Sequence, residues 1–138
     1  MDAIEAIETR RSVRRYENKE IDDEIVKRLL SAAMNAPSAA NEQPWEFIVI
    51  KDREMLDAIP TFSPFARAVT HAPLGILICG DTRNVIAPGF WVQDCAAATQ
   101  NLLIAAHALG LGAVWTGVYP MERQVAGFTK HCQLPEDV

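Results

Sequence analysis

Cysteine is scarce in this sequence: Cys79, Cys95 and Cys132 are odd in number, widely spaced and form no CxxC pair. That argues against a disulfide framework and favours free thiols in a reducing, cytoplasmic setting. His71, His107 and His131 have no ligand spacing to one another or to the cysteines, so no metal site is expected. No apolar run approaches the length needed to span a bilayer. The N-terminus, MDAIEAIE, is acidic and already helix-patterned, unlike a secretory leader. A net charge of -5 and a pI near 5.1 leave no general basic face for nucleic acid or an anionic membrane. The chain also lacks a GxGxxG opening a helix after a strand, a Walker A sequence and a GxSxG elbow. No serine or cysteine has an evident base beside it in sequence. A catalytic side chain is therefore not expected, and a cofactor that supplies the chemistry is.

What is present fits one domain, residues 1–138, with a sizeable core. Asp2 followed by Glu5 predicts a capped helix through about Thr9, with Ile4 and Ile7 on its inner face. A second helix is expected from Asp22, which can cap it, to the stop at Pro37; Ile25, Leu29, Ala32 or Ala33 and Ala36 follow its period. WEFIVI at 45–50 predicts a strand, and a short helix is expected around 53–58. PLGILICGD at 73–81 predicts a second strand buried on both faces. Residues 91–109 predict the longest helix, apolar almost all round and so needing cover on several sides, with Gly110 ending it. GAVWTGVY at 112–119 predicts a third strand and 121–131 a last helix. Cys79 and Cys95 are expected in the core, and His107 as a hydrogen-bonded packing residue. Strands separated by helices give an α/β or α+β sandwich, and the over-apolar helix suggests a homodimer.

Three stretches hold candidate binding residues. Four arginines occur within ETRRSVRRY, where Arg10, Arg11, Ser12 and Arg14 offer forked donors and a hydroxyl suited to a phosphate. Basic residues also suit a helix C-terminus, so charge alone favours a solvated cluster over a site. In APSAANEQPW, Ser38, Asn41 and Gln43 place polar groups on a loop between helix and strand, or simply build a turn. In GLGAVWTGVYP, Gly117 would let a flat ligand approach the backbone closely.

Together, RRSVRRY (10–16), APSAANEQPWEFIVI (36–50), APLGILICGD (72–81) and DCAAATQNLLIAAHALGLGAVWTG (94–117) resemble the nitroreductase family of FMN-dependent oxidoreductases. The resemblance covers nearly the whole chain. It implies an α+β fold, a nitroreductase-like α/β sandwich with a central, mainly antiparallel sheet flanked by helices, as a homodimer with FMN at the subunit interface. It implies that Arg10, Arg11 and Ser12 hold the phosphate and ribityl end of FMN and that Arg14 reaches toward the N1/O2 edge of its ring. Arg15 is left as a solvated residue. It further implies that Pro37, Ser38, Ala39 and Asn41, with Gln43 beside them, meet the flavin of the other subunit. Trp115, Thr116 and Gly117 then lie near flavin N5. The implied reaction is ping-pong: NADH or NADPH reduces FMN, and a small-molecule acceptor such as a nitroaromatic or a quinone is then reduced.

Family members usually continue past the position of LPEDV into a further strand and a tail that embraces the partner. The expectation is therefore of a domain lacking that strand and tail. An FMN-binding or sensing module, or a fragment without efficient turnover, is the alternative to an enzyme.

Overall fold

A computed structural model describes all residues, 1–138. Helix α1 (Ala3–Thr9) begins where the Asp2 carboxylate accepts the Glu5 N–H at 3.0 Å. Its inner residue is Ala6, 2% exposed, whereas Ile4 and Ile7 are 64% and 53% exposed, contrary to the sequence expectation. The helix has only seven residues and packs against the longest helix, with Ala6 as its one buried residue.

Helix α2 (Asp23–Met34) follows, with Asp22 at its N-cap position. Asp22 makes no side-chain cap bond; its carbonyl accepts from Ile25 and Val26, so the capping role expected of its carboxylate is not found. A loop with one 3₁₀ turn (Ala39–Asn41) leads to strand β1 (Trp45–Ile50). Helix α3 (Arg53–Ala58) and two 3₁₀ segments (Ile59–Thr61 and Pro64–His71) precede strand β2 (Gly75–Gly80). Helix α4 (Trp91–Ala108) and helix α5 (Glu122–His131) complete the order. Gly110 ends α4 at φ +79°, the left-handed conformation expected of a C′ glycine.

The sheet is antiparallel and has two strands, in register from Trp45 opposite Gly80 to Ile50 opposite Gly75. Side chains alternate between its faces as the pleat requires. Trp45, Phe47, Ile76 and Ile78 pack with α2 and α4, while Ile48, Ile50 and Leu77 pack with Leu56 and Phe128 on the other side. Ala33 and Ala98 are fully buried, and such small residues let α2 and α4 approach closely. The Asn101 amide ties the two helices by donating to the Ala32 carbonyl.

Two expectations about strands fail together. Residues 112–119 form no third strand; their one ladder contact is a parallel bridge between Ala113 and Ser12. In β2 only Cys79 and Gly80 are buried, and the other four residues are half-buried. An apolar cavity of about 370 Å³ lies between β2, α4 and residues 111–119, where Ile76, Ile78, Val114 and Val118 face common space. β-Propensity is realised only by pairing, and apart from that bridge residues 112–119 pair with no strand.

Candidate functional site

The arginine stretch is held in place at both of its ends. Thr9, just before it, donates its hydroxyl hydrogen to the Glu5 carbonyl at 2.6 Å. Its oxygen then accepts from His107 Nε2 at 2.8 Å, which makes that nitrogen the protonated one. His107 is thus the hydrogen-bonded, half-buried residue expected from the sequence. Farther along, the Val13 N–H donates to the Ala113 carbonyl at 2.9 Å. The Tyr16 hydroxyl folds back to donate to the Val13 carbonyl. Burial pushes the Tyr16 phenol above its usual range, so it remains a donor at neutral pH.

Within this frame the four arginines differ. Arg11 turns back along α1, and its Nη1 donates to the carbonyls of Glu8 and Arg10 at 3.0 and 2.8 Å. It thereby satisfies acceptors at the helix C-terminus. Arg10, Arg14 and Arg15 have no salt bridge and donate no side-chain hydrogen bond to the protein. Ser12 is exposed, and its backbone bridges to Ala113. Ser12 and Val13 thus lie against Ala113, and the side-chain donors of Arg10, Ser12 and Arg14 have no protein partner. Trp115 is 49% exposed on that segment. A Cβ added at Gly117 would meet nothing nearer than Met121 Cε at 3.8 Å, so the backbone there is open to a flat group.

The loop 37–43 is strained and well anchored. Ala40, Asn41 and Gln43 all have positive φ, between 48° and 53°, a conformation that L-residues seldom adopt. Such clusters persist only where surrounding contacts over-determine them. Here the Gln43 N–H donates to Ser38 Oγ at 3.1 Å, and its side-chain amide donates to Asn41 Oδ1 at 3.0 Å. The Ala39 N–H donates to Asp94 Oδ1, also at 3.0 Å. Glu42 Oε2 accepts from the N–H groups of Ile86 and Ala87. Pro37 is exposed at the loop's entrance.

Asp94 and Glu42 are residues that the sequence reading missed. Asp94 is 5% exposed, and its second oxygen, Oδ2, is buried without a protein partner, as is Glu42 Oε1. A signal for Asp94 existed: it is the one carboxylate in the helix WVQDCAAATQNLLIAAHA.

The two halves are anchored far apart on α4. The loop is tied to α4 at Asp94 and the arginine stretch at His107, thirteen residues apart, or roughly 20 Å along a helix axis. Residues 112–119 run back between them, from Ala113 beside Ser12 to Tyr119, whose ring lies 4.8 Å from that of Trp91. No group of three or more His, Cys, Asp or Glu side chains is placed to hold a metal ion, and no helix is long and apolar enough to cross a membrane. Cys79 and Cys95 are buried and unbridged, as expected, and the Cys95 thiol contacts the Cys79 carbonyl at 3.5 Å.

Comparison with known proteins matches this arrangement to one family. The sequence model of the nitroreductase family covers residues 7–70 and 64–138. A Methanothermobacter thermautotrophicus protein named "Putative NADH dehydrogenase/NAD(P)H nitroreductase" is 52% identical over the whole chain, which spans 72% of that protein's length. An FMN-dependent nitroreductase from Clostridium difficile superposes with a TM-score of 0.89 at 28% identity, over 97% of this chain and 80% of its own. A Desulfovibrio desulfuricans protein solved in complex with FMN superposes with a TM-score of 0.88 at 36% identity, over 98% of this chain and 78% of its own. By sequence and by fold, the chain belongs to the nitroreductase family.

Proposed function

We propose that this chain, an FMN-dependent oxidoreductase using NADH or NADPH, reduces nitroaromatic, quinone or similar electron-poor acceptors by a ping-pong mechanism. We further propose that its site is completed by a second copy of the chain and that it acts in the cytoplasm, where its unbridged cysteines belong. The observation that carries the reading is the set of free donors on Arg10, Ser12 and Arg14, fixed by the Val13–Ala113 hydrogen bond beside the open backbone at Gly117. Unpaired guanidinium groups and a hydroxyl suit a phosphate, and an uncrowded glycine suits a ring. The residues present therefore fit FMN.

FMN, when bound, supplies the two-electron chemistry. The chain binds and orients. Arg10 and Ser12 hold the phosphate and ribityl end, with Arg11 beside them at the end of α1. Arg14 places a permanent positive charge at the N1/O2 edge, where reduction builds negative charge. Trp115, Thr116 and Gly117 line the face at the reacting edge. Pro37, Ser38, Ala39, Asn41 and Gln43 reach the flavin held by the other copy. The ~20 Å separation of the two halves along α4 is what supports the sharing of sites between chains. Exposed apolar residues on the single chain, among them Ile4, Ile7 and Phe90, supply surface for such an interface.

Flavin titration of the apo protein tests the assigned roles. Arg10→Gln should chiefly weaken FMN affinity. Arg14→Gln should slow reduction by NAD(P)H more than it weakens FMN binding. Small and equal effects of both would remove the assignment.

A further inference from the structure

We propose that an open cleft next to Arg14 binds the phosphate groups on the adenosine half of the nicotinamide reductant. The inference rests on the reading of the chain as an NAD(P)H-using flavoprotein and deepens it by naming a docking site for the reductant. Arg14 and Arg15 border the cleft from the stretch after α1, and Arg67 and His71 border it from the 3₁₀ segment Pro64–His71. No carboxylate lines it.

The chain is acidic overall, at -5, with 18 acidic residues to 13 basic ones. Three guanidinium groups, those of Arg14, Arg15 and Arg67, nevertheless meet at this one cleft, and none of them has a salt bridge. Gathering like charges costs free energy that an anion would offset. Guanidinium forks suit phosphate in particular, and an arginine in place of a carboxylate is the usual accommodation for a ribose 2′-phosphate. Phe65 stands at the same cleft with 76% of its surface exposed. A solvent-facing ring beside phosphate-binding arginines offers a stacking platform for a purine base.

Arg14 is the link to the flavin. It belongs both to the flavin-binding stretch and to the cleft, so phosphates held here lie next to the ring edge assigned to Arg14. Arg15, which reads from the sequence as a solvated residue, acquires a role because Arg67 and His71 stand across the cleft from it.

Two ligands without a nicotinamide test the proposal: ADP-ribose, and its 2′-phosphorylated form. Each is titrated calorimetrically into the wild-type protein, with and without FMN, and into Arg15→Gln and Arg67→Gln. Binding to the wild type, weakened about tenfold in each variant as expected for one lost charge-assisted hydrogen bond, supports the cleft. Equal affinity for the two ligands assigns the arginines to the pyrophosphate; preference for the second assigns them to the 2′-phosphate. In turnover, both variants should raise KM for the reductant with kcat unchanged, the signature of lost uniform binding. Absence of binding, or variants that bind as the wild type does, overturns the proposal. The underlying reading fails separately: a protein that binds these ligands but not FMN keeps the cleft and loses the flavoenzyme.

Discussion

Val13 and Ala113 are joined by a 2.9 Å hydrogen bond from the N–H of the first to the carbonyl of the second, and this bond sets the arginine stretch against residues 112–119. The approach is close because Gly112 has no side chain. A Cβ there would stand 2.8 Å from Val13 Cγ1 and 3.0 Å from Val13 Cβ. Gly112→Ala is therefore expected to push the two segments apart, at a cost of about 1–3 kcal/mol for overpacking. Urea unfolding measures that loss, and flavin titration should show a parallel fall in FMN affinity.

His107 holds the other end of the same stretch. His107→Leu removes the donor to Thr9 and should weaken FMN binding. His107→Gln keeps an N–H at comparable reach and should restore much of it. Equal losses in both variants would show that the imidazole acts by packing alone.

Asp94 is expected to matter more than its distance from the arginines suggests. Its Oδ1 accepts the Ala39 N–H of a loop with three residues at positive φ. Asp94→Ala leaves that N–H without its acceptor and should cost about 1–3 kcal/mol, measured by urea unfolding. Because loop and arginines serve different flavins in the proposed dimer, mixing Arg10→Gln and Asp94→Ala subunits should regenerate a fraction of intact sites. FMN bound by the mixture above the sum of the two separate variants would show this. A mixture that binds no more than that sum would place both halves of the site in one chain.

The thiols give a prediction with a definite sign. Burial pushes Cys79 up to about 11 and Cys95 up to about 12, and it also raises the half-buried Cys132. A raised pKa means a protonated, unreactive thiol below it. At pH 8 a thiol reagent should label at most Cys132 in the native protein and all three cysteines in denaturant. Fast native labelling of Cys95 would contradict its place beneath β2.

Much of the fold was legible because periodicity and punctuation agree. WEFIVI is a strand between its expected ends, and the Ala-rich run from Trp91 to Ala108 is the longest helix. What was not legible depends on partners. GAVWTGVY has strand propensity, but a strand exists only where another is paired to it, and its sole ladder contact is the bridge from Ala113 to Ser12. Ile4 and Ile7 have helical spacing, yet Ala6 is the buried residue of that helix. For the proposed site, the arginines and loop amides stand out by residue type. The positive φ of Ala40 and the anchoring by Asp94 and Glu42 could not, because backbone strain and contacts more than forty residues apart leave no local pattern. The role proposed for Arg15 left no local pattern either, since Arg67 and His71, which line the same cleft, come from another segment.

Anaerobic reduction of the FMN-reconstituted protein tests the central claim most directly. NADH or NADPH should bleach the flavin absorbance, and a nitroaromatic or quinone added afterwards should restore it. A protein that binds FMN but keeps its colour under excess NADH and NADPH would be a flavin-binding module, and the oxidoreductase account would be contradicted.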